Sequence, residues 1–141
     1  MKKIHKFIVI MCIMVNCIIM TSCKVEDPQE ERIGDLKYSV VKESEIPTEL
    51  LEQISQKKEK EFKCTFYNKE HKNDLYLIVG YGAQPTGGYS IKIEDLYLTE
   101  NSIYFDTSLI GPSKDDVVSQ VVTYPYIVVR IDYVDKPVTF V

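Results

Sequence analysis

The spacing of apolar positions changes along the chain and marks out its elements. Residues 7–20 are apolar in one run interrupted only by Asn16, with Lys2, Lys3 and Lys6 ahead of them. Residues 24–34 are charged, poor in apolar side chains and hold Pro28, the pattern of a solvated linker. A short strand is predicted over 36–41. Over 44–60, Ile46, Leu50, Leu51 and Ile54 recur at helical spacing and predict an amphipathic helix with one packed face. Pro47 suits its first position, Glu49 and Glu52 its positive end, and Lys57, Lys58 and Lys60 its negative end.

Beyond the helix the period becomes two. Phe62, Cys64 and Phe66 alternate with Lys63, Thr65 and Tyr67, a half-buried strand that turns Cys64 inward. A polar turn over 68–74 contains His71. Residues 75–81 are apolar on both faces, as in a central strand. A loop over 82–88 leads to a long strand over 89–98, whose phase slips between Ile93 and Leu96 and predicts a bulge near Glu94 and Asp95. Glu100, Asn101 and Ser102 form a turn onto a strand over 103–110, Asn being a residue that tolerates left-handed backbone. Residues 111–116 read as a surface loop. Strands follow over 117–123, 126–134 and 138–141, with Pro125 and Pro137 limiting their pairing. One helix and about seven or eight strands in mostly hairpin order predict a mainly β (α+β) fold: an antiparallel sheet, sandwich or open barrel.

The first segment reads as an address. An apolar run of 14 residues is short of the roughly 20 that span a bilayer as a helix, so residues 1–22 are expected to be a secretory signal. Its end, Met20-Thr21-Ser22-Cys23, resembles the bacterial lipobox, with Met20 where Leu is commoner. That resemblance implies cleavage between Ser22 and Cys23 and a lipid on Cys23. The expected organisation is a signal peptide over 1–22, a lipidated tether over 23–34 and one domain over 35–141. Two acyl chains, at about 0.8 kcal/mol per buried methylene, would hold it on the extracytoplasmic face of the cell membrane. The membrane is then met by the lipid anchor only. Loss of Lys2, Lys3 and Lys6 would leave 14 basic and 21 acidic residues, a net charge of −7 against −4 for the whole chain. No nucleic-acid partner is expected of so acidic a chain. A 45% apolar and 27% charged composition is that of a globular protein, and 141 residues make one ordinary domain.

Catalytic chemistry finds little to work with. After cleavage Cys64 is the remaining cysteine and His71 the remaining histidine. Neither a disulfide nor a zinc site can be assembled from them, and Cys64 reads as a structural thiol between Phe62 and Phe66. A serine nucleophile would have His71 as its sole imidazole, in a turn flanked by Glu70 and Lys72. Residues 82–88 echo a phosphate loop, but Gly88 stands where that loop needs Lys and a strand follows instead of a helix. The acidic pairs Asp115 with Asp116 and Glu94 with Asp95 read as solvated surface. No enzyme activity and no cofactor or metal are expected.

Two segments carry the remaining signal: Tyr81-Gly-Ala-Gln-Pro-Thr-Gly-Gly-Tyr-Ser90 and Thr123-Tyr-Pro-Tyr126. Pro85 presets a turn, Gly87 suits the last position of a type I turn and Gly88 permits a left-handed backbone. Gln84 and Thr86 offer polar atoms, while Tyr81 and Tyr89 flank the loop. A hairpin connection whose tyrosines roof a small core is the purely structural alternative. With the strand over 75–81 and the stretch from Gln120 through Ile131, these segments resemble the C-terminal domain of PrcB-type protease-complex subunits, over residues 60–141. The resemblance implies a non-catalytic subunit that stabilises or assembles a secreted or envelope protease, with Gln84, Pro85, Thr86, Gly87, Gly88, Tyr89, Tyr124 and Tyr126 as partner-binding residues. The Pro85-Thr-Gly-Gly-Tyr89 order is also similar to the Pro-Thr-Thr-Gly-Tyr loop of chagasin-type cysteine-protease inhibitors. That similarity implies, as the alternative, a wedge entering a protease cleft. In either reading a Pro-stiffened, Gly-rich loop loses little entropy on binding.

Overall fold

The computed structural model describes residues 31–68 and 73–141. The elements in chain order are β1 (Arg32–Asp35), β2 (Tyr38–Val40), a 3-10 turn (Glu43–Glu45), helix α1 (Thr48–Lys57), β3 (Glu61–Tyr67), β4 (Asp74–Tyr81), β5 (Ser90–Thr99), β6 (Ile103–Ile110), β7 (Tyr126–Asp132) and β8 (Val138–Phe140). They form two four-stranded sheets, in the orders β1-β5-β6-β8 and β2-β7-β4-β3. Neighbouring strands are antiparallel except β6 and β8, which run parallel.

Strand β4, apolar on both faces as its sequence predicts, sets the layers. Leu75, Leu77 and Val79 join Val129 and Ile131 of β7 and meet Leu96, Ile103 and Phe105 of the opposite sheet. Tyr76 and Ile78 point the other way, with Val128, and receive Ile46, Leu50 and Ile54 from the helical segment. The molecule is thus a mainly β sandwich with one helix laid on an outer face, and neither sheet closes into a barrel. The slip in β5 is present as a register shift between Ile93 and Asp95 against β6.

Several expectations are corrected. The strand expected over 36–41 is present as the shorter β2, and an unexpected strand of the other sheet, β1, starts at Arg32, inside the stretch read as tether. Arg32 is drawn in by partners remote in sequence: its guanidinium lies 3.1 Å from Asp95 and 4.8 Å from the Tyr97 ring centroid. The helix expected over 44–60 is shorter, because Ile46 stands before Pro47 and takes extended backbone (ψ 131°). Pro47 is the N-cap and not the first helical residue. Asn101 is not left-handed, since no described non-glycine residue has positive φ. The turn is held instead by Thr99 Oγ1, which accepts the Ser102 N–H at 2.8 Å. Residues 117–123 form no strand, and β7 stops at Asp132. Cys64 is half-buried under the helix layer. Ser22, Cys23, His71 and the tether up to residue 30 lie outside the described residues.

Candidate functional site

The connectivity brings the two sequence motifs to one end of the sandwich. Strand β4 leads into residues 82–89 and β5 leads away from them. Ile110, at the end of β6, pairs with Ser90, and Tyr126, at the start of β7, pairs with Gly80. Residues 111–125 therefore run beside residues 82–89.

Main-chain bonds join the two loops. Gln84 N–H donates to the Thr123 carbonyl at 2.8 Å and Thr123 N–H to the Gln84 carbonyl at 3.0 Å. Gly87 N–H donates to the Ser119 carbonyl at 2.9 Å. Thr123 Oγ1 adds a bond to the Thr86 carbonyl at 2.7 Å. On its other flank, Ala83 N–H reaches the Glu59 carbonyl at 3.3 Å, and a Cβ on Gly82 would stand 3.0 Å from Glu61 N and 3.1 Å from the Lys60 carbonyl carbon. Gly82 (φ 68°) and Gly88 (φ 82°) both take left-handed backbone, where an L side chain is strained.

The predicted residues take different parts. Pro85 and Gly88 are exposed, while Gln84, Thr86, Gly87 and Tyr89 are half-buried. The Gln84 side chain turns back, its Nε2 donating to the Tyr81 carbonyl at 2.9 Å. Gly87 is not a free tip: a Cβ there would stand 2.5 Å from Ser119 Oγ. At Gly88 a Cβ would stand 2.6 Å from Val118 Cγ1, and the Tyr89 ring lies against Gly111. Tyr81 is structural, its hydroxyl tying the sheets together through the Thr107 carbonyl at 2.7 Å.

Tyr124 and Tyr126 stand on the helix side of the same end. Lys58 Nζ sits 5.2 Å from the Tyr124 ring centroid. Burial, with Glu43 adding repulsion, raises the Tyr126 phenol above its ordinary value. Both rings line a groove of about 300 Å3 with Val41, Glu43 and Ile46. The two motifs share one end but not one face: the Tyr89 ring lies against Gly111, while Tyr126 packs toward the helix.

Sequence reasoning missed the valines of the crossing loop. Val117, Val121 and Val122 are 103%, 64% and 52% exposed. Their order, Val-Val-Ser-Gln-Val-Val, is apolar in adjacent pairs and fits neither a period of two nor one of 3.6, the signal that could have flagged them. Their segment spends its hydrogen bonds on residues 84–87 and passes between sheets without joining either. Among the described residues no three His, Cys, Asp or Glu side chains gather where they could hold a metal ion.

Neither the curated proteins nor the solved structures give a match to this chain. A family model does match, over residues 75–132, a shorter stretch than the expected 60–141. It runs from β4 through β7 and so contains both motifs, the valine loop and the bonds that join them. Residues 75–132 are thus similar to the family described as PrcB C-terminal.

Proposed function

We propose that this protein is a non-catalytic accessory subunit that docks on a secreted or envelope protease and stabilises or helps assemble it. The docking surface is the joined pair of loops, 82–89 and 111–125, at one end of the sandwich. The observation that carries this reading is the two-way main-chain bridge between Gln84 and Thr123. It fixes an exposed apolar loop beside a Gly-rich one, inside the stretch that matches the PrcB C-terminal family. Exposed valines on a loop held by main-chain bonds offer apolar area to a partner at little ordering cost. The family match supports association with a protease complex. Display on the extracytoplasmic face by a lipid on Cys23 belongs to the same proposal and rests on the sequence of residues 1–23. The wedge reading is less well supported, because Ser119 stands beside Gly87, and Val118 and Pro112 beside Gly88, so the two glycines are not a free tip.

The test is capture of a protease from native envelopes by the full chain, with the captured protein identified and its activity half-life measured. A Val121→Asp, Val122→Asp variant is expected to lose about ten-fold in capture, as apolar anchors do when given a charge. Its thermal midpoint should stay within a few degrees of the parent, since both side chains are exposed. Undiminished capture by the variant would place the surface elsewhere. Turnover of a protein substrate by the purified chain would defeat the accessory role.

A further inference from the structure

One strand edge beside this surface has lost its neighbour. Tyr81 N–H donates to the Pro125 carbonyl at 3.0 Å, and Gln84 and Thr123 exchange main-chain bonds. Thr123, Pro125 and, by strand alternation, Ile127 therefore turn their main-chain groups toward β4 and its loop. Tyr124 and Tyr126 turn theirs the opposite way, toward the side that β2 occupies further along. Strand β2 covers that side only as far as Val40 opposite Val129, with one further bond from Val41 N–H to the Val128 carbonyl at 2.9 Å. The chain then leaves the sheet for the 3-10 turn at Glu43–Glu45. Among the described residues no turn or loop bond takes up the main chain of Tyr124 or Tyr126.

The uncovered edge lies along the groove of about 300 Å3 lined by Val41, Glu43, Ile46, Tyr124 and Tyr126. Its charge is one-sided. Lys58 is engaged over the Tyr124 ring, whereas the Glu43 carboxylate has no ion-pair partner among the described residues. Added strands draw affinity from main-chain bonds and selectivity from the side-chain pockets they cross.

We infer that this groove takes an extended segment of a protein partner as an added strand on β7, paired through the main chain of Tyr124 and Tyr126, with a Lys or Arg of that segment against Glu43. The inference deepens the docking reading above and rests on it for the partner being a protein. The segment continues the line that β2 abandons, and its alternate side chains meet Val41, Ile46 and the two tyrosine rings.

The probe is the peptide Lys-Thr-Val-Thr-Val-Thr-Val-Thr-Lys, titrated onto the full chain in detergent solution with amide hydrogen exchange read residue by residue. At saturation the Tyr124 and Tyr126 amides are expected to exchange about ten-fold more slowly. Methylating the peptide nitrogens on one edge of the probe abolishes binding, while methylating the alternate set leaves it intact. Glu43→Lys weakens binding about ten-fold, and a probe with Glu in place of Lys regains it. Unchanged exchange at the two tyrosines overturns the inference, as does equal binding of the two methylated probes. Slowing at the same amides with rising chain concentration and no probe also overturns it, since the occupant is then a second copy. Val121→Asp leaves probe binding unaltered. Probe binding without protease capture therefore defeats only the protease reading, and capture without probe binding defeats only this one.

Discussion

Cys64 sits on β3 between Phe62 and Phe66, on the face that α1 covers. Burial pushes its thiol above the ordinary value of 9.0, and the nearby Lys57 offsets only part of that rise. The raised value means that the unfolded chain gives up this proton first. The Cys64 contribution is constant below pH 9 and is lost as pH rises from the unfolded value through the folded one. Urea midpoints of the parent and a Cys64→Val variant should therefore run parallel up to about pH 9, and the parent's should fall relative to the variant's above it. A pH-independent difference would mean that the thiol holds its proton equally tightly in both states. The sequence placed Cys64 inward correctly because alternation fixes which face a residue joins. It could not place Gly80, whose missing side chain leaves room for the Phe62 ring directly opposite: a Cβ there would stand 2.1 Å from that ring.

The β5–β6 hairpin turns on side-chain bonds where a left-handed Asn was expected. Thr99 is fully buried, its Oγ1 accepts the Ser102 N–H, and the two hydroxyls lie 3.0 Å apart. Lys136 Nζ closes the outside by donating to the carbonyls of Thr99 at 2.8 Å and Glu100 at 2.7 Å. Thr99→Val keeps the shape and removes the hydroxyl. It is expected to cost about 1–3 kcal/mol, the usual penalty for stranding a buried donor, measured as unfolding free energy in urea. A neutral result would show that the turn is set by β5–β6 pairing alone. Strands β3 to β6 were legible because each carries a local period and a turn signal. Strand β1 was not, because what makes Arg32 part of a sheet is Asp95 and Tyr97, more than sixty residues away.

In the proposed role the two ends of the sandwich have different tasks. Arg32 pairs with Thr99, so the chain enters the folded domain at the end opposite Ser90 and the joined loops. The ten residues of β5, at about 3.3 Å each, separate those ends by about 30 Å. A lipid on Cys23 would therefore hold residues 100–102 and 133–137 toward the membrane and present residues 82–89 and 111–125 outward. Energy transfer to a lipid acceptor from a dye at Asn101→Cys should exceed that from a dye at Pro85→Cys, with both placed in a lipidated Cys64→Val chain on vesicles. Equal transfer would mean that the domain lies along the membrane.

The order of apolar and polar residues was enough to give a mainly β domain with one helix, a central β4 and a bulged β5, whereas two motifs were marked for binding through a family resemblance. Each of these depends on neighbours within a few positions, and local sterics and burial read them directly. The division into two sheets, the crossing loop with its outward valines and the joining of Gln84 to Thr123 depend on contacts between distant segments. So does the uncovered edge at Tyr124 and Tyr126, which exists because the chain leaves the line of β2 for the 3-10 turn at Glu43–Glu45. Such features are set by which strand edges remain to be paired once the core is filled, and that is settled only when the whole chain has folded.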